Sequence, residues 1–157
     1  MVADVVDHYP GLVESIAERG HEIGCHGLHH ACKIDPKTKE PLMSVKEFEE
    51  RTLEAKEMLE RVCKDKVIGY RAPNALVSVW MLDSLEKIGF KYDSFISVNS
   101  LYNKTDSSYP YYPKKNGLEI GEENFFVEFP WSYWNVFGFE IPTSGGDSEM
   151  KIGKYLK

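Results

Sequence analysis

Cysteine is scarce: Cys25, Cys32 and Cys63 are the three in 157 residues, and no two of them form a Cys-x-x-Cys pair. An odd, scattered set supports neither a disulfide framework nor a zinc ribbon, and it suits a reducing compartment such as the cytoplasm. No apolar run approaches the roughly 18 residues needed to span a bilayer. The opening Met1-Val2-Ala3-Asp4 lacks a basic stretch followed by an apolar one, so no secretory signal is expected. Positive charge is in deficit, with 19 Lys+Arg against 25 Asp+Glu and a net charge of −6. Without a dense Lys/Arg stripe, nucleic acid and anionic membrane surfaces are disfavoured, which leaves a small or neutral partner. Also missing are a Gly-x-Ser-x-Gly elbow, a phosphate loop and a Gly-x-Gly-x-x-Gly turn, so serine hydrolase, NTPase and dinucleotide chemistry have no support. The length is that of one domain, whereas a closed (β/α) barrel typically takes about 250 residues.

What is present is enough for a core: 42% of residues are hydrophobic, 13% aromatic and 28% charged, far from the composition of disordered chains. Residues 10–19 place Leu12, Val13, Ile16 and Ala17 on one helical face, with Pro10 at the first position and Gly20 past the end. The stretch His21-Glu22-Ile23-Gly24-Cys25 then reads as a buried strand running into a loop at His26-Gly27. After a polar connection over 33–41, Ser44-Val45-Lys46-Glu47 has capping-box form, and Phe48, Thr52, Ala55, Leu59 and Val62 recur at helical spacing as far as Cys63. Val67 to Tyr70 is a short strand closed by Arg71-Ala72-Pro73-Asn74. Ser78 is positioned to cap a third helix through Ile88, Gly89 ends it, and Phe90 to Ile96 forms the next strand. Each helix is followed closely by a strand, the pattern of parallel α/β units, in which ligands sit at the C-terminal strand ends. Beyond Ser97 the pattern changes; Phe125 to Phe129 reads as one more strand, and the segment from Gly145 is weakly patterned.

Two clusters fall at predicted strand ends. In His26-Gly27-Leu28-His29-His30, three of the five histidines of the chain occupy five positions. His26 and His30, four apart, lie on one face of a helix or tight turn and can present imidazole nitrogens to one divalent metal, zinc first, with a carboxylate completing the set. The alternative is a solvated loop without a ligand. His29, adjacent to His30, points elsewhere, and His8 and His21 read as solvated or capping residues. Arg71 can hold a carboxylate in a fixed bidentate orientation and keep it ionised as a base, or it is a surface arginine beside a turn proline. A third cluster, Phe125 to Trp131 with Tyr133 and Trp134 behind it, can line a sugar site or pack as core and rim. Within it, Glu128 is a candidate second carboxylate, although a solvated acid at a strand end is the commoner explanation.

These residues together resemble a known family. Gly20-His21-Glu22-Ile23-Gly24-Cys25-His26-Gly27-Leu28-His29-His30 is similar to the second motif of the polysaccharide deacetylases, the NodB-homology or carbohydrate esterase 4 domain, whose core is His-(Ser/Thr)-x-x-His. Gly69 to Asn74 resembles the third motif, Arg-x-Pro and then an aromatic or polar residue. Glu86 to Ser94 is similar to the segment C-terminal to that motif, especially in allantoinase-like and exopolysaccharide-type members. The resemblance spans about residues 4–146, leaving 147–157 as a tail. It implies an α/β fold, a distorted (β/α) barrel, here incomplete at the N-terminus and at the C-terminus, with exposed edges that invite self-association. It implies His26 and His30 as metal ligands and Arg71 as the catalytic residue that orients a base; beside them, Asn74 and Trp131 are the candidate substrate contacts. Gly27 stands where Ser or Thr is usual. The family's strand-end Asp-Asp motif and its late histidine have no counterpart, and Asp4 and Asp7 are not assigned those roles. The implied activity is metal-assisted hydrolysis of carbon–nitrogen, non-peptide amide bonds, removing N-acetyl groups from carbohydrate. The alternatives are a metal-independent allantoinase-like amidohydrolase and a non-catalytic remnant that binds carbohydrate or a partner.

Overall fold

The computed structural model describes residues 1–94, 107, 109–115, 117–131, 133–136 and 139–142. The far end of the strand expected to reach Ile96, and the tail 147–157, lie outside these residues.

Helix α2, Pro10–Glu18, forms where the apolar spacing places it, with Pro10 in the first turn, where its missing N–H costs no hydrogen bond. A one-turn helix unforeseen in the sequence, α1 (Val5–His8), precedes it. Helix α3, Val45–Cys63, is the longest, and Ser44 Oγ accepts from Glu47 N at 3.1 Å. Only this half of the capping box is made, because the Glu47 carboxylate turns to Arg51 at 2.9 Å instead. The buried stripe of α3 is Phe48, Thr52, Ala55, Met58 and Leu59, spaced three and four apart on the inward face. Helix α4, Val79–Ile88, ends on Gly89 at φ 92, a left-handed position that suits glycine. The expected Ser78 side-chain cap is absent: the amide of Met81 bonds instead to the Ser78 carbonyl at 2.9 Å, so the first turn closes on backbone alone.

Strands β1 (Gly69–Tyr70), β2 (Tyr92–Asp93) and β3 (Val127–Glu128) form a parallel sheet in that order. They are shorter than the sequence suggested; of the expected strand 21–25, Cys25 alone bridges β1, alongside Tyr70. Backbone bonds extend the layer on that side: His26 N reaches Met1 O at 2.7 Å and Ala3 N reaches Gly27 O at 2.9 Å. On the far edge Tyr111 pairs antiparallel with Glu128. A separate antiparallel hairpin of β4 (Tyr133–Val136) and β5 (Phe139–Pro142) was not anticipated.

Helices α3 and α4 cover the sheet. Tyr70 meets Phe48 edge-on at 6.4 Å between ring centroids and Phe90 at 5.5 Å, and Phe48 meets Trp80 at 5.2 Å. Burying each such side chain contributes about 1.5–3 kcal/mol. On the opposite face, the Tyr92 ring lies so close over β1 that a Cβ on Gly69 would stand 2.3 Å from it.

Candidate functional site

The site grows from alternation at the strand ends. Cys25, Tyr70, Asp93 and Glu128 sit side by side on the buried face. Their successors His26, Arg71, Ser94 and Phe129 therefore project to the other face, which is open.

The histidine segment is a turn and not a helix. Gly27 leaves the strand at φ 85, and Ala31 N closes on His29 O at 2.8 Å. The turn brings His26 and His30 together with ring centroids 4.9 Å apart and planes at 55°. His26 Nδ1 lies 2.7 Å from the Arg71 carbonyl. A carbonyl only accepts, so Nδ1 carries the hydrogen and Nε2 keeps its lone pair, the arrangement that orients a metal-binding imidazole. Burial, reinforced by the neighbouring His30 and Arg71 charges, lowers the pKa of His26 against the opposing pull of that hydrogen bond. The ring is thus neutral near pH 7, the form that ligates. His29 turns away, as expected, and pairs with Asp4 at 3.2 Å on the surface.

Arg71 differs from expectation. Its Nε donates to Ser94 O at 2.8 Å and a terminal nitrogen donates to Ser94 Oγ at 2.9 Å. Ser94 occupies the fork that was assigned to a carboxylate, and no carboxylate pairs with Arg71 among the described residues. Trp131 joins the same group: its ring lies 5.5 Å from the guanidinium carbon, and its indole N–H donates to Ser94 O at 3.1 Å. Asn74, in a left-handed conformation at φ 59, donates through Nδ2 to Cys32 Sγ at 3.1 Å and ties the two motif loops together. The structure thus links His26, Arg71 and Trp131 through Arg71 and Ser94, and holds Asn74 beside the histidine loop through Cys32.

Imidazoles are the right donors for a divalent ion, but the count is short. Among the described residues, no group of three or more His, Cys, Asp or Glu side chains is placed to hold one. The pair His26 and His30 supplies two ligands where catalytic zinc sites use three from protein.

Two residues escaped sequence reasoning. Ser94 was seen only as part of a flanking match, and Asp93 not at all as a functional group. Glu128, a candidate second carboxylate for which a solvated strand-end acid was the commoner explanation, is fully buried, with Asp93 as its neighbour across the sheet. The available signal was a lone acid inside each of two apolar expected strands, Asp93 in 90–96 and Glu128 in 125–129.

The profile described as polysaccharide deacetylase matches residues 1–92. Among solved structures, a protein from Mycobacterium smegmatis assigned as a polysaccharide deacetylase is 28% identical at a TM-score of 0.58 over 91% of this chain and 44% of its own. A protein from Pseudomonas aeruginosa PAO1 with the same assignment is 20% identical at a TM-score of 0.53 over 99% of this chain and 45% of its own. PuuE allantoinase is 21% identical at a TM-score of 0.56 over 83% of this chain and 37% of its own. This chain spans less than half the length of each of them. No curated protein matches the chain.

Proposed function

Because the chain belongs to the polysaccharide deacetylase family, we propose that it carries the histidine and arginine part of a hydrolase site for carbon–nitrogen, non-peptide amide bonds, one that removes N-acetyl groups from carbohydrate. The observation that carries this is the 2.7 Å bond from His26 Nδ1 to the Arg71 carbonyl, which joins the two motifs at the open ends of parallel strands. We read the sheet as part of a (β/α) barrel, in which this is the face where sites form.

His26 and His30 are the proposed ligands of a divalent metal, zinc first. Such an ion, when bound, polarises an amide carbonyl and supplies an activated water. The chain's own residues do the rest of what is proposed. Arg71 fixes the strand-end carbonyl of Ser94 and keeps one positive charge at the mouth. Trp131 offers an aromatic face for the apolar side of a sugar ring, and Asn74 an amide beside it. Free thiols at Cys25, Cys32 and Cys63 support a reducing, cytoplasmic setting.

Zinc titration of the purified chain by calorimetry tests the metal half of this proposal. Stoichiometric binding abolished by His26→Ala is expected, and no binding up to millimolar zinc sinks it. Acetate release from N-acetylated sugar oligomers tests the reaction. Saturable oligomer binding without any release would move the assignment to a carbohydrate-binding remnant. We propose self-association through exposed apolar residues such as Tyr9 and Leu12; a clean monomer in analytical ultracentrifugation would count against it.

A further inference from the structure

One rung of the sheet carries ionisable groups that the proposed site does not use. Asp93 stands opposite Tyr70 on one side and Glu128 on the other, on strands about 4.8 Å apart. Both acids are 0% exposed. Among the described residues, neither oxygen of Asp93 has a hydrogen-bond partner outside its pairing with Glu128, and the Tyr70 hydroxyl has none. Two ionised carboxylates here would be acceptors facing each other in a low-dielectric layer, a costly arrangement of like charges. A carboxylic acid brings its own donor.

The other ionisable groups packed around this rung are engaged elsewhere. On the sheet, Cys25 accepts from Gly27 N at 3.4 Å. From α3, Lys56 donates to Ile88 O at 3.3 Å and lies over the Phe90 ring, Glu60 accepts from Val67 N at 3.0 Å, and Glu49 is held by Ser84 and Lys87 of α4. Beside β3, Tyr111 OH donates to Leu118 O at 2.8 Å.

We propose that Asp93 and Glu128 hold one proton between them and act as a positioning pair, tying β2 to β3 one residue before Ser94, whose carbonyl receives both Arg71 and Trp131. Burial first, and the neighbouring Glu128 second, push the Asp93 carboxyl well above its usual range. A folded-state pKa raised in this way gives stability that is present below the unfolded carboxyl pKa of about 3.9 and is lost as pH rises toward the folded value. The catalytic consequence rests on the deacetylase proposal; the proton itself does not.

The test reads the proton directly. Infrared spectra of the whole chain at pH 7 are expected to show a protonated-carboxyl stretch that is absent from Asp93→Asn and from Glu128→Gln, with every surface acid already ionised. Thermal midpoints of the wild type are expected to fall between pH 5 and pH 9, while the variant profiles flatten. Trp131 emission should follow the same pH course, and Trp131→Phe should remove that change. Where a variant does not fold, the wild-type infrared titration decides alone. A wild-type spectrum with no protonated carboxyl at pH 7 overturns the proposal. None of these readouts uses enzymatic turnover, so an inactive chain with a protonated pair, or an active one without it, separates this inference from the deacetylase proposal.

Discussion

The two faces of the same strand ends differ in what they tolerate. Cys25, Tyr70, Asp93 and Glu128 are at most 2% exposed, and Phe48 of α3 packs on Tyr70 among them. One residue further along each strand, His26, Arg71, Ser94 and Phe129 meet solvent in part or fully. The difference follows from the two-residue period of extended backbone. Its lesson is a division of labour: the buried rung sets how the strands stand, and the open rung inherits its geometry from them. Burial also removes the tolerance to charge that the open face has, so two ionised acids side by side on the covered side would be costly.

Substitutions can test this contrast, and the largest effect should come from the covered side. Phe48→Ala, which removes the ring packed on Tyr70 and Trp80, is expected to lower unfolding stability by about 3–5 kcal/mol in urea denaturation. His26→Ala on the open side should abolish zinc binding at a stability cost of about 1 kcal/mol, the worth of its bond to Arg71 O. Equal losses from the two would mean that the faces are not independent. Next in size is Gly69→Ala, whose new Cβ meets the Tyr92 ring at 2.3 Å. It should cost about 1–3 kcal/mol, partly recovered when Tyr92→Ala is added, and a neutral Gly69→Ala would show that the ring is free to move.

Smaller effects separate the faces more finely. Arg71→Lys keeps the charge and loses the fork that grips Ser94, so at most about 1 kcal/mol of stability should go, accompanied by a shift in Trp131 emission. Unchanged emission would detach Trp131 from the group. The thiols offer the mildest probe. Burial raises the Cys25 pKa to about 11, so alkylation at pH 8 should label Cys32 and Cys63 well before Cys25, as peptide mass mapping would show. Because the folded value exceeds the unfolded one, this thiol contributes stability below pH 9 that is lost as pH rises through 11. Early labelling of Cys25 would place it on the wrong face.

Helices were more legible in the sequence than strands. The seam Phe48, Thr52, Ala55, Leu59 repeats along α3 and has a serine cap, so local spacing alone places that helix. Two-residue strands carry no period to read, and the β4–β5 hairpin lies in an aromatic run whose spacing suits core or rim equally well. The histidine pair and Arg71 were visible because their residue types are rare and clustered. That Arg71 grips Ser94, and that Glu128 faces Asp93, depend on neighbours 23 and 35 positions away in sequence, contacts that no local pattern encodes.

The strand order of the parallel layer is also the order of the chain, since each segment pairs with the next one to appear. Such a sheet can grow by accretion as the polypeptide lengthens, each new strand docking on an edge already in place. The bond from His26 to Arg71 can therefore close as soon as β1 is laid down, across 45 positions of chain. Ser94 arrives with β2 and Trp131 only after β3, so the aromatic cover over Arg71 is the last part to assemble. An interruption of folding between these stages leaves the histidine turn formed and the aromatic cover missing, which makes Trp131 a natural reporter of completion.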